Sequence, residues 1–159
     1  MPSNVYHFEE HWTIPDHAPE AVWRVIVDAT LLPKWWRGVY LESIPIEPYS
    51  QPAVGARFRV RARGFLPYKL NFILECTELE QNRVVAVRSL GDFEGQWRAV
   101  VAPHEAGARV DTTWQVTVLK PIVRWLSPAL RPLFAWNHRW TTPRGEAGLR
   151  AYLAEHRQS

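Results

Sequence analysis

Apolar and polar residues alternate over residues 5–14. Tyr6, Phe8, Trp12 and Ile14 share one parity, and His7, Glu9, His11 and Thr13 share the other, the period of a half-buried strand. Glu10 breaks the pattern by placing a carboxylate on the apolar parity. Pro15 ends the strand. Asp16 or His17 then opens a helix with Pro19 near its first turn, and Ala21, Val22, Val25 and Ile26 repeat at helical spacing. Leu31 to Arg37 reads as a second short helix, with Pro33 near its start, the Trp35-Trp36 pair within it and Gly38 at its end.

Strand periods follow. Residues 39–47 form one, closed by Pro48. Residues 56–63 put Phe58, Val60 and Ala62 on one face and Arg57, Arg59, Arg61 and Arg63 on the other. Gly64 to Pro67 turns the chain, and residues 68–79 align Leu70, Phe72, Leu74 and Cys76. Residues 83–90 and 93–102 flank Gly91-Asp92, a hairpin signal. Residues 109–119 align Val110, Thr112, Trp114, Val116 and Val118. Past Pro121 the period becomes helical, with Leu126, Leu130, Phe134, Asn137 and Thr141 at spacings of three and four, and Gly148 and Tyr152 continuing less regularly. Pro143 predicts a kink, with Thr142 as a local cap. The expected fold class is α+β. A curved antiparallel sheet of about seven strands, with two short helices after the first strand, wraps around a long C-terminal helix. An antiparallel sheet of this extent needs one face covered. The closing helix is the element long enough to cover it, which leaves a cavity between the two.

The chain has 159 residues and 47% hydrophobic content, the size of a single domain spanning 1–159. Its net charge of +3 favours no partner strongly, and all but three of its basic residues (Lys34, Lys69, Lys120) are arginine. Cys76 is the single cysteine, so no intramolecular disulfide forms; on its apolar parity it reads as inert core. The first residues lack a basic region followed by an apolar stretch, and no apolar run approaches the roughly 18 residues of a membrane span. A cytoplasmic location is expected.

Several segments carry a resemblance. They are Pro19-Glu20-Ala21-Val22-Trp23, Trp35-Trp36-Arg37-Gly38-Val39, Leu66-Pro67-Tyr68 and Gly91-Asp92-Phe93-Glu94-Gly95, then Asn137-His138-Arg139-Trp140, then Arg144-Gly145-Glu146 with Gly148-Leu149. In this order they resemble the START-like, or SRPBCC, helix-grip superfamily, and more closely its polyketide cyclase/dehydrase-type branch. The resemblance implies a helix-grip fold. It implies a function within a range that includes lipid and sterol carriers, quinone-binding proteins and aromatase/cyclases, and fold alone does not choose among these. Thr142-Pro143 departs from the pattern, because similar sequences continue the helix there.

The candidate pocket residues are Tyr6, Phe8, Trp12, Phe58, Phe72, Trp97, Trp114, Phe134, Asn137 and Thr141. Trp12, Trp97 and Trp114 lie on the apolar parities of three strands and offer flat area with an indole N–H donor, or simply fill the core. The polar candidates for moving protons are Glu10, Arg88 and Asn137. Glu10 is a general acid/base or a carboxylate paired with an arginine at the sheet rim. Arg88 would stabilise an oxyanion if it points inward, and strand parity alone leaves its direction open. Asn137 binds a ligand oxygen or ties the helix to the sheet; His138, about 100° further round, reads as structural.

The four-arginine face of residues 57–63 reads as a solvated convex surface rather than a nucleic-acid groove, since Phe58 lies opposite the arginines and single-strand binders interleave aromatic platforms with charge. No metal is expected at His7, Glu9 and His11. Successive same-face strand residues lie roughly 6.5–7 Å apart, so His7 and His11 stand roughly twice that distance from each other, too far to share one ion at about 2 Å. No cofactor motif occurs: GxSxG, P-loop and GxGxxG patterns are absent. The reading is a carrier of a small hydrophobic, ring-containing or polyketide/lipid-like ligand, with a cofactor-free cyclase or dehydratase as the alternative. A membrane-docking lipid or quinone binder, resting on Trp125, Leu126 and Leu130, is a further alternative. A homodimer is left open.

Overall fold

The computed structural model describes residues 5–63, 69–118, 139 and 143–156. The expected turn at 64–67 and most of the C-terminal helix therefore lie outside the described residues, as do Trp125, Leu126, Leu130, Phe134, Asn137, His138, Thr141 and Thr142. So do the side chains of Val5, Tyr6, Phe93, Thr117 and Val118.

Among the described residues the chain runs β1 (Val5–Ile14), α1 (Pro19–Ile26), a 3-10 turn (Ala29–Leu31) and α2 (Leu32–Trp35). It continues through β2 (Tyr40–Pro45), β3 (Arg57–Ala62), β4 (Leu70–Glu80), β5 (Val84–Gly91), β6 (Phe93–His104) and β7 (Gly107–Val118). Helix α3 occupies residues 143–155. The strands form one antiparallel sheet in the order β1-β7-β6-β5-β4-β3-β2. Every strand therefore pairs with a chain neighbour except that β1 returns to β7, and the sheet has two edges.

The alternation read from the sequence places the core. In β3 the arginines are exposed and Phe58, Val60 and Ala62 are buried, because the two parities of a strand face opposite sides. The register aligns Trp12 with Val110 in β1 and β7, and Val110 with Val101 in β6, and all three are buried. Two local details differ from expectation. Asp16 adopts φ 67°, left-handed backbone suited to a turn and not to a helix start. The helix is instead capped at Ala18, with Pro19 pre-set for its first turn. The second helix begins earlier, as a 3-10 turn: Asp28 accepts hydrogen bonds from the Thr30 N–H at 3.1 Å and the Thr30 hydroxyl at 2.6 Å, satisfying donors that a helix start leaves open.

Helix α3 meets α2 through glycine. A Cβ on Gly148 would stand 1.8 Å from the Trp35 carbonyl oxygen, and one on Gly145 would stand 2.7 Å from the Trp36 ring. Next to this contact α3 covers the free edge of β1. The Thr13 N–H donates to Glu146 at 2.8 Å, and the Arg150 guanidinium donates to the Thr13 carbonyl at 2.9 and 2.6 Å. Backbone groups on an edge strand are thereby satisfied by helix side chains and closed to other strands. Gly148→Ala is expected to destabilise the protein by roughly 2–4 kcal/mol, read as a fall in denaturant midpoint at unchanged slope. An exposed Ala154→Gly change in the same helix should cost only about 1 kcal/mol.

Candidate functional site: an apolar cavity beneath the short helices

The helix–turn–helix segment and β2 roof the inner face of the sheet and leave an interior space. Leu74, Val85, Val87, Ser89, Trp97 and Trp114 form its floor, three residues from β5 and one each from β4, β6 and β7. Ile26, Val27, Ala29 and Leu32 supply the roof, and Trp35, Trp36 and Tyr40 close one side. The cavity is about 50 Å³, room for a few water molecules at roughly 10–15 Å³ each. The expected cavity lay between sheet and C-terminal helix. Among the described residues the α1–α2 segment forms the lid, and residues 143–155 do not line the space.

The polar groups here are neutral. No charged residue lines the cavity among those described. Ser89 is buried and, like the Tyr40 hydroxyl, has no hydrogen-bond partner among the described residues. Trp35 is 1% exposed, and its indole N–H and that of Trp12 are buried without an acceptor among those residues. Desolvation by burial pushes the Tyr40 phenol up to about 12, so at neutral pH it is a proton donor and not a phenolate. The side walls are aromatic. Trp35 stacks on Trp36 at 5.2 Å, Trp36 meets Tyr40 at 5.3 Å, and Trp12 stands edge-on to both tryptophans at 6.2 and 5.4 Å.

The residues singled out from the sequence divide into groups. Trp97 and Trp114 line the cavity, and half-buried Phe8 packs against Trp114 at 6.1 Å. Trp12, Phe58 and Phe72 are buried core residues that do not line it; Phe58 instead meets Tyr49 edge-on at 5.0 Å. Glu10 takes the inner parity, half-buried opposite Thr112, whose hydroxyl donates to the Glu10 carbonyl at 3.4 Å, and it does not reach the cavity lining. Arg88, whose direction strand parity left open, is exposed on the outer face and pairs with Glu75 at 3.0 Å. The register aligns Arg88 with Glu75 and puts Val87 and Ser89 inward, so Arg88 does not line this cavity.

Tyr40 and Ser89 are the polar residues that sequence reasoning passed over. Ser89 had a signal in its shared parity with Val85 and Val87. Tyr40 had none, because it sits at the start of a bulged strand, where the register shifts between Tyr40 and Glu42. His7, Glu9 and His11 are exposed on the outer face, and among the described residues no cluster of metal-binding side chains occurs. Cys76 is buried, which pushes its thiol pKa up. No helix among the described residues is long and apolar enough to cross a membrane.

Comparison with solved structures shows the helix-grip fold. The chain is similar to TTHA0849 from Thermus thermophilus, with a TM-score of 0.76 at 20% identity, covering 98% of this chain and 99% of that one. It is similar to the Zhui aromatase/cyclase from a Streptomyces species, with a TM-score of 0.73 at 11% identity, covering 98% and 97%. It also resembles norcoclaurine synthase from Thalictrum flavum, with a TM-score of 0.58 at 16% identity, covering 97% and 96%. No protein-family model matches the chain, and no curated protein matches its sequence.

The Tyr40 shift has a definite sign. The folded state holds the phenolic proton more tightly than the unfolded chain, so its contribution is complete below the unfolded value of 10.0 and is lost as pH rises towards 12. Tyr40→Phe is expected to lose less stability than wild type between those limits, as measured by denaturant midpoints across alkaline pH.

Proposed function

We propose that this protein binds a small, mostly apolar molecule, ring-containing or polyketide/lipid-like, in the cavity under α1 and α2. The observation that carries this is the lining: apolar and aromatic walls with the Tyr40 and Ser89 hydroxyls and no charge among the described residues. Such a surface favours an apolar body with one or two oxygen acceptors over an ionic ligand. Helix-grip structures that include an aromatase/cyclase and a norcoclaurine synthase support a ligand-holding role for this fold. The cavity is smaller than the engineered space of about 150 Å³ that admits benzene. A ring-sized guest must therefore displace half-buried side chains such as Trp97 and Trp114, or extend past the described lining.

Carriage is favoured over acid/base catalysis because Glu10 and Arg88 do not line the cavity. A cyclase-type reading is supported by Tyr40, a neutral phenol that would donate a proton to a substrate carbonyl. Under that reading Tyr40→Phe should abolish turnover of a polyketide-type substrate with little change in binding. Under carriage it should only weaken binding, by the modest value of one hydrogen bond, about 1 kcal/mol.

Native mass spectrometry after gentle purification, with extraction of retained compounds, tests the cavity directly. Wild type is expected to retain or take up an apolar ligand. Val87→Phe, which fills the floor, should lose uptake at least tenfold while keeping its circular dichroism spectrum. Equal uptake by both proteins would mean the ligand lies elsewhere.

A further inference from the structure

The outer face of the sheet carries an apolar row. Strand register sets Ile44 beside Arg59, Arg59 beside Ile73, and Ile73 beside Leu90. Ile44 is 45% exposed and Leu90 38%, and Leu41 and Ile46, on and beside the same edge strand, are 41% and 39% exposed. The outward face of an antiparallel sheet is ordinarily polar. Large aliphatic side chains gathered at one end mark a surface that something covers.

The charges at that end differ from those elsewhere on the sheet. Arg57, Arg83, Arg88, Arg98 and Arg109 are held in ion pairs with Glu47, Glu80, Glu75, Glu78 and Asp111. Among the described residues the side chains of Arg59, Arg63 and Lys69 have no such partner, and Arg61 reaches only the Asn71 side-chain oxygen at 3.4 Å. Glu42 lies opposite Arg61 but forms no ion pair with it. Free cations therefore stand among exposed aliphatics on one contiguous patch.

A second copy fits this patch poorly. A two-fold contact would set arginine against arginine, and Pro45 and the bulge between Tyr40 and Glu42 interrupt β2 as an edge for strand addition. Single-stranded nucleic acid would want aromatic platforms, and the exposed large side chains here are aliphatic. Cations that meet headgroup charge and aliphatics that enter the acyl boundary match an anionic bilayer. We propose that the outer face of β2–β4, with Leu90, docks on an anionic lipid surface. This face is on the opposite side of the sheet from the cavity and stands independently of what the cavity holds.

Vesicle flotation tests it, with vesicles of pure phosphatidylcholine and vesicles of equal parts phosphatidylcholine and phosphatidylserine. Wild type should float with the anionic vesicles only, and less as salt rises. The combined Arg59→Gln, Arg61→Gln, Arg63→Gln variant should lose on the order of a hundredfold in partitioning, and Ile44→Ser with Leu90→Ser should lose several-fold at any salt. Arg83→Gln, at an ion-paired site, should bind as wild type does. Circular dichroism checks that each variant is folded. The proposal falls if wild type floats equally with both vesicle types or with neither, or if the triple arginine variant binds unchanged. It also falls if polyglutamate is bound while the aliphatic variants leave vesicle binding intact, which would make the face a site for an acidic protein.

Discussion

The close approach of α3 to the Trp35-Trp36 pair is the contact on which the rest of the architecture depends. A helix backbone can reach a carbonyl and an indole ring this closely only where it carries no Cβ, and Gly145 and Gly148 supply those two positions. The contact fixes α2 against the sheet, brings Trp12 edge-on to both tryptophans, and aligns Glu146 and Arg150 with the open edge of β1. It leaves two indole N–H groups, on Trp12 and Trp35, buried without acceptors among the described residues, and a buried donor left unmet has a free-energy cost. Aromatic area and edge-to-face geometry offset that cost.

From that fixed corner the sheet separates two chemistries. Among the described residues its inner face beneath α1 and α2 is apolar, with the Tyr40 and Ser89 hydroxyls as its polar groups. Its outer face is a field of arginines and glutamates, with Arg88 and Arg98 paired to Glu75 and Glu78 across strands and Arg57 paired to Glu47. Exposed pairs of this kind add little stability each, but they leave Arg59, Arg63 and Lys69, unpaired among the described residues, conspicuous. The same strands thus present an uncharged interior suited to an apolar guest and an exterior whose charge balance changes from one end to the other.

Strand parity was legible wherever one face was uniformly apolar. In β3 the four arginines and the buried Phe58, Val60 and Ala62 sort as the alternation predicts. Parity failed to decide β5, where Val84, Val85 and Ala86 are all buried. A stretch buried on both parities carries no alternation to read, so the direction of Arg88 had to come from pairing with Glu75. It also could not separate core from cavity: Trp12 and Trp97 share the inward sense, yet one is packed among tryptophans and the other lines the space.

Local chemistry written along the chain was sufficient for the order of elements, the α+β class, the proline and glycine breaks and the inward or outward sense of most strands. Each of these follows from residue spacing and backbone preference over a few neighbours. Which tryptophans pack and which leave room, which arginines find acids, and that Tyr40 and Ser89 face the cavity depend on residues far apart in the chain. Those outcomes were decided by register across seven strands and by the approach distance of α3, because a one-residue slip or a single added methyl would exchange faces or push the helix away.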